Sequence, residues 1–143
     1  MRRALAVLLL TLGFVAAACS SNRTSVLDLG VGDCFNDEDL DAEVITNVPT
    51  VSCSEPHDNE IYHAYSMTDA VHPGRDAALD AADQRCFEQF EPFVGMDYFE
   101  SDLDFFSMVP TPESWDEGDR GVLCALYAVD LSKLTGSMRD AQR

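Results

Sequence analysis

The chain has 143 residues, with 26 acidic against nine basic side chains, a formal charge of −17 and 46% hydrophobic residues. A surface this acidic repels phosphate backbones and anionic headgroups, which excludes nucleic acid as a partner and gives the domain surface no electrostatic hold on a membrane. The length suits one ordinary domain.

In chain order, "MRRALAVLLLTLGFVAAAC" carries two arginines, an apolar run from Ala4 to Phe14, and small residues up to Cys19. That is the pattern of a secretory leader, and the run is too short for a spanning helix, which needs about 20 apolar residues. Cys19 directly after Ala16, Ala17 and Ala18 resembles the bacterial lipobox, with Ala16 where leucine is usual. The resemblance implies that residues 1–18 are a lipoprotein signal peptide and that the Cys19 thiol takes a diacylglycerol. One acyl chain anchors only marginally, whereas two chains on one cysteine hold a protein stably. Residues 19–143 then number 125, and loss of Arg2 and Arg3 moves the charge from −17 to −19. The six residues Ser20 to Ser25 reach about 20 Å when extended. Residues 19–25 are therefore read as a short lipid tether that keeps the domain, residues 26–143, near the outer face of the cell membrane.

"SVLDLGVGDCF" reads as a short apolar strand closing on a Gly-Asp turn, and the acidic "DEDLDAE" as a solvated loop. That loop places Asp37, Asp39 and Asp41 at calcium-loop spacing, but Ala42 and Val48 stand where the turn glycine and closing glutamate belong, which excludes an EF-hand. "EVITNVPTVSC" is a β-branched strand interrupted by Pro49, which suggests an edge or a bulge. In "EIYHAYSM", Ile61, His63, Tyr65 and Met67 alternate with Tyr62, Ala64 and Ser66, the period of a strand. From Arg75 to about Phe90, Leu79, Ala82, Cys86 and Phe90 recur at helical spacing; Asp76 and Asp80 suit the N-terminal end, and Pro92 is read as the stop. "DLDFFSMVP" is a further strand candidate. "RGVLCALYAVD" is apolar on both alternating sets, as for a strand in the middle of a sheet. Together these predict an α+β fold, a small antiparallel-rich sheet with one main helix packed on it.

Four cysteines remain after Cys19: Cys34, Cys53, Cys86 and Cys124. An even number in an exported chain reads as two disulfides with three possible connectivities, and no close C-x-x-C pair supports a four-thiolate zinc site. The expected pairs are Cys34 with Cys53, joining neighbouring strand candidates, and Cys86 with Cys124, tying the helix to a strand.

"LGVGDCF", "VSCSEPHDNEIY", Cys86 in a helix, "PESWDEGDRGVLC" and "LTGSM" follow one another in an order that resembles the actinobacterial septum formation domain family. The pattern spans nearly all of the chain beyond the leader. It comprises a Gly-Asp-Cys turn at Gly32 to Cys34, a Cys-x-x-Pro-His-x-x-Glu run at Cys53 to Glu60, and a Trp-x-x-Gly-Asp-Arg run at Trp115 to Arg120. The resemblance implies an exported protein, anchored as a lipoprotein or by one membrane helix, acting in envelope or division processes. It brings no catalytic residues, and the short tether departs from the Pro- or Thr-rich linker of many relatives.

The run "CSEPHDNEIYHAY" concentrates metal-ligand types at Cys53, His57, Glu60 and His63. On an extended strand His57 and His63 would lie about 20 Å apart, too far to share a zinc ion, and a disulfide-bonded Cys53 offers no thiolate. His57 and Glu60 are instead expected to hydrogen-bond loop backbone beside the turn at Pro56. Neither a metal nor another cofactor is expected. Trp115 and Arg120, with Phe105 and Phe106, form a candidate binding surface, since Trp and Arg are enriched at interface hot spots; the favoured reading of the motif itself is structural, with Trp115 covering the core end while Asp119 and Arg120 launch the last strand. With no nucleophile motif present, the expected function is a noncatalytic binding or scaffold module meeting another envelope or division protein. The competing expectation is a small hydrolase, or a ligand- or metal-binding lipoprotein, using the region of His57, Glu60 and His63.

Overall fold

The computed structural model describes residues 23–37 and 45–143. The leader, Cys19 and residues 38–44 of the acidic loop lie outside the described residues. Among the described residues, six strands form one sheet: β1 (Arg23–Ser25), β2 (Cys34–Phe35), β3 (Asn47–Val51), β4 (Asn59–Ser66), β5 (Leu103–Met108) and β6 (Gly121–Ala128). Their order is β1-β3-β2-β4-β6-β5, and every pairing is antiparallel. One long helix, α1 (Arg75–Val94), packs on one face against β4, β5 and β6. The expected α+β architecture is therefore the observed one. No helix among the described residues is long and apolar enough to cross a membrane.

β6 shows why the sheet is where the chain's apolar runs meet. Val122, Cys124, Leu126 and Ala128 are all buried on the helix side, while Leu123 and Tyr127 are half-buried on the other, and β4 and β5 flank it on either side. The helix-side core joins Tyr62, Phe90, Phe93, Leu103 and Leu126 with Leu134 and Met138 from the C-terminal segment. A smaller core of Leu29, Phe35, Val48, Ile61 and Ala125 fills the opposite side. The disulfides are Cys34–Cys53 and Cys86–Cys124, as expected. The second fastens α1 to β6 at the centre of the main core.

Four local expectations are corrected. Val26–Asp28 forms a 3-10 turn rather than a strand, with the Ser25 hydroxyl accepting from the Leu27 N–H at 3.3 Å. The strand lies just before it, so Arg23 to Ser25, read as the end of the tether, belong to the sheet and pair with β3. Pro49 sits in a strand with neighbours on both sides, not at an edge; it is tolerated at the Arg23 end of the short β1 ladder, where one missing donor costs one bond. Pro92 does not stop α1. A proline late in a helix forfeits one bond and crowds one carbonyl, but Phe93 and Val94 beyond it are buried, and burying such side chains contributes about 1.5–3 kcal/mol each. The stop is Gly95, left-handed at φ 78°, whose N–H donates to the Glu91 carbonyl at 2.8 Å. The helix-end carbonyls of Phe93 and Val94 then accept from the N–H groups of Asp140 and Gln142.

β4 departs from simple alternation. Ile61 pairs with Ala125 and His63 with Cys124, so Tyr62 is the extra residue of a bulge. The bulge puts Ile61 and His63 on opposite faces, correcting their expected grouping, and sends the Tyr62 ring into the helix-side core. There its hydroxyl donates to the Cys86 carbonyl at 2.8 Å, and burial pushes its ionisation well above the ordinary tyrosine value.

Candidate functional site

Three of the sequence motifs meet at one place, the end of the sheet where β2 adjoins β4. Gly30 to Asp33 make a tight turn: the Asp33 carboxylate accepts from the Gly30 N–H at 2.8 Å, and Gly32 occupies φ 94°, a conformation other residues rarely adopt. The turn delivers Cys34 into register with Glu60 across the β2–β4 ladder. Directly opposed residues share a face, so Cys34 and Glu60 both point to the helix side, beyond the reach of α1. What covers them is the C-terminal segment. Its Leu134 exchanges both backbone hydrogen bonds with His57, at 2.8 and 3.1 Å, and the Gly136 N–H donates to the Cys53 carbonyl at 2.6 Å. Lys133 clamps the outer side, donating to Asn36 and pairing with Asp58 at 2.6 Å.

Glu60 is fully buried, and its two oxygens accept from the Ser137 hydroxyl and from the Met138 N–H. It therefore holds the C-terminal segment rather than its own loop, which explains physically why the Cys-x-x-Pro-His-x-x-Glu run and "LTGSM" belong to one pattern. His57 does hold loop backbone, as expected: Nδ1 lies 2.8 Å from the Glu55 carbonyl. Because a carbonyl only accepts, Nδ1 carries a proton and donates it there. Nε2 of the same ring is buried and has no hydrogen-bond partner. Donor atoms of His57, Glu60 and Cys34 all lie within 4.8 Å of one another.

His63 is not part of this cluster. It sits further along β4, opposite Cys124, stacked on Tyr65 with ring centroids 5.8 Å apart. Burial, reinforced by the Arg85 cation, lowers its ionisation below the usual imidazole value. The ligand types concentrated at Cys53, His57, Glu60 and His63 thus do not gather as one set; the residues that come together are Cys34, His57 and Glu60. The premise that His57 lies on the strand also fails, since β4 begins at Asn59. Cys34 was hidden from sequence reasoning because its approach depends on the β2–β4 register; the signal was its disulfide to Cys53, which already ties the first motif to the second.

The expected binding surface does not assemble. Phe105 and Phe106 are half-buried on opposite faces of β5, packed against the two different cores. Trp115, in the short helix α2 (Pro112–Asp116), is only 5% exposed, with His72 against its ring edge. Arg120 stacks 3.7 Å over that ring and donates to the carbonyls of Trp115 and Asp119. Its guanidinium is thus spent on fixing the turn into β6. The exposed aromatic surface lies elsewhere: Phe99, 81% exposed, packs edgewise with Tyr98 and beside Phe87, 40% exposed, near the end of α1.

Neither the curated proteins nor the solved structures contain a match to the chain. The family model described as septum formation matches residues 25–124, running from the end of β1 through the Gly-Asp-Cys turn and the Glu60 motif to Cys124, and on that match the chain belongs to the septum formation family.

Proposed function

We propose that this septum formation domain is a noncatalytic module of the actinobacterial cell envelope, held to the outer face of the membrane by a lipid on Cys19, that binds another envelope or division protein. The observation that carries the binding role is the exposed pair Phe99 and Phe87, with half-buried Tyr98 packed beside them, because large aromatic side chains left in water supply apolar area and low-entropy anchors to a partner. The charge of −17 favours a partner that is not itself acidic. Family membership supports the septal context. The polar groups around Glu60 are occupied in fastening the chain's own C-terminal segment, which supports a structural use of that motif over a hydrolytic one.

The test is crosslinking in the native membrane with a photoreactive residue placed at position 99. A protein neighbour that recurs with the wild type and is lost on Phe87→Ala is the expected result. Recovery of no neighbour above background refutes the binding role. The anchor is tested separately by intact mass: wild type carries the acyl mass at Cys19 and Cys19→Ala does not. Equal unlipidated masses sink the lipoprotein reading.

A further inference from the structure

The buried cluster of Cys34, His57 and Glu60 brings a ring nitrogen of His57, a carboxylate oxygen and a disulfide sulfur within 4.8 Å of one another, and His57 Nε2 is buried with no hydrogen-bond partner. A buried polar atom without a partner has lost its hydration with nothing in return, so its presence calls for an explanation. We propose that the Cys34–Cys53 disulfide is a redox latch on a zinc-type metal site, and that its reduction frees two thiolates which, with His57 Nε2 and Glu60, form a four-donor set for one divalent transition metal.

The chemistry of the donors selects the ion. Two thiolates, an imidazole nitrogen and one carboxylate oxygen make the mixed sulfur, nitrogen and oxygen set that suits zinc and cobalt, and excludes magnesium and calcium, which take oxygen. In the oxidised protein neither sulfur carries charge, and only His57 and Glu60 can ligate. Cleaving the bond supplies the missing half of the site in place, since Cys53 Sγ is covalently attached to Cys34 Sγ before reduction. The second shell already exists. His57 Nδ1–H donates to the Glu55 carbonyl and leaves Nε2 buried and unpartnered, while Ser137 and Met138 hold the Glu60 carboxylate.

The reaction is a two-electron exchange with an envelope dithiol. A thiolate of the reductant attacks Cys53 Sγ, the half-buried sulfur, because Cys34 is 1% exposed. A mixed disulfide forms and Cys34 leaves as a thiolate. The reductant's second thiol then displaces Cys53, so the reductant becomes the disulfide and its two protons end on Cys34 and Cys53. Metal binding releases both protons as the two thiolates coordinate. A Cys34 thiolate beside the Glu60 carboxylate accumulates negative charge in a buried place, and a divalent cation neutralises it. The other disulfide joins two cysteines that are both fully buried and stays oxidised under mild reduction.

The experiment is a cobalt(II) titration of the purified, oxygen-free protein before and after mild phosphine reduction, with alkylation and mass analysis confirming that one disulfide opened at Cys34 and Cys53. The reduced protein is expected to bind one cobalt ion, with thiolate-to-metal charge-transfer absorption and the intense visible bands of tetrahedral geometry, both abolished by zinc; the oxidised protein shows neither. His57→Gln weakens this binding by roughly tenfold or more, since even loss of an outer-shell partner costs that much, whereas His63→Gln leaves it unchanged. If His57→Gln fails to fold, Cys34→Ser serves instead, with loss of charge-transfer intensity as the readout. Absence of tetrahedral cobalt in the reduced protein overturns the proposal. So does equal affinity in His57→Gln, and so does reduction that unfolds the domain without recovery on adding zinc.

Discussion

Glu60 shows how one side chain organises a region. A carboxylate with both oxygens accepting can be replaced by an amide of the same shape, yet the amide NH₂ then confronts either the Met138 N–H or the Ser137 hydroxyl. Glu60→Gln is expected to lower stability by about 1–3 kcal/mol, the cost of a buried donor left unpaired, read as a reduced urea midpoint at unchanged slope. His63 carries a pH consequence. Its ionisation is lowered in the fold from 6.5, so the unfolded chain binds the proton more readily. Stability from this residue is complete above that value, declines as the pH falls through it, and levels off below the lowered native value. His63→Gln should therefore flatten the fall of the denaturation midpoint just below pH 6.5 relative to wild type. At the alkaline end, Tyr98 donates to Asp104 at 2.6 Å, and this bond, with burial, pushes its ionisation up to about 12. Ultraviolet titration of Asp104→Asn should show that tyrosine ionising nearer the ordinary value, because the acceptor that holds its proton is weakened.

At the scale of elements, α1 was legible in its middle and not at its end. The buried series Ala78, Ala82, Cys86 and Phe90 has the spacing of one helical face, and two of those residues are alanines, so the helix lies close on the sheet while Leu79 is only half-buried. Pro92 misleads because a local rule about missing donors is outweighed by the burial of Phe93 and Val94. Gly95 is the true terminator, and a β-carbon there would meet Gln142 Cγ at 3.4 Å, an ordinary contact, so the cost is that of forcing a side chain into φ 78°. Gly95→Ala should lose about 1–2 kcal/mol, the left-handed penalty, seen as a lower melting temperature with unchanged helix content in the native state. The bulge at Tyr62 was equally hidden. "EIYHAYSM" has a clean period of two, and only the pairing with β6 shows where one residue fails to be matched.

For the whole molecule, the two disulfides and the C-terminal segment decide cohesion. The loops closed by Cys34–Cys53 and Cys86–Cys124 span 19 and 38 residues, for which chain-entropy reasoning gives about 3 and 4 kcal/mol. Replacing Cys86 and Cys124 by alanine should therefore cost more stability in urea than replacing Cys34 and Cys53, and equal losses would contradict that ordering. The family match ends at residue 124, yet Leu134 to Met138 complete the burial of His57 and Glu60. Sequence alone determined the class of fold, the acidic charge, the number of disulfides and the order of the motifs, because these follow from residue type, period and count along the chain, while the expected pairing was one of three connectivities until the fold fixed it. Only the tertiary structure decided that Cys34 stands beside Glu60, that Trp115 and Arg120 are spent on a turn, and that Phe99 is the aromatic left in water. Those facts depend on strand register and on which segment covers which face, and neither is encoded in local spacing.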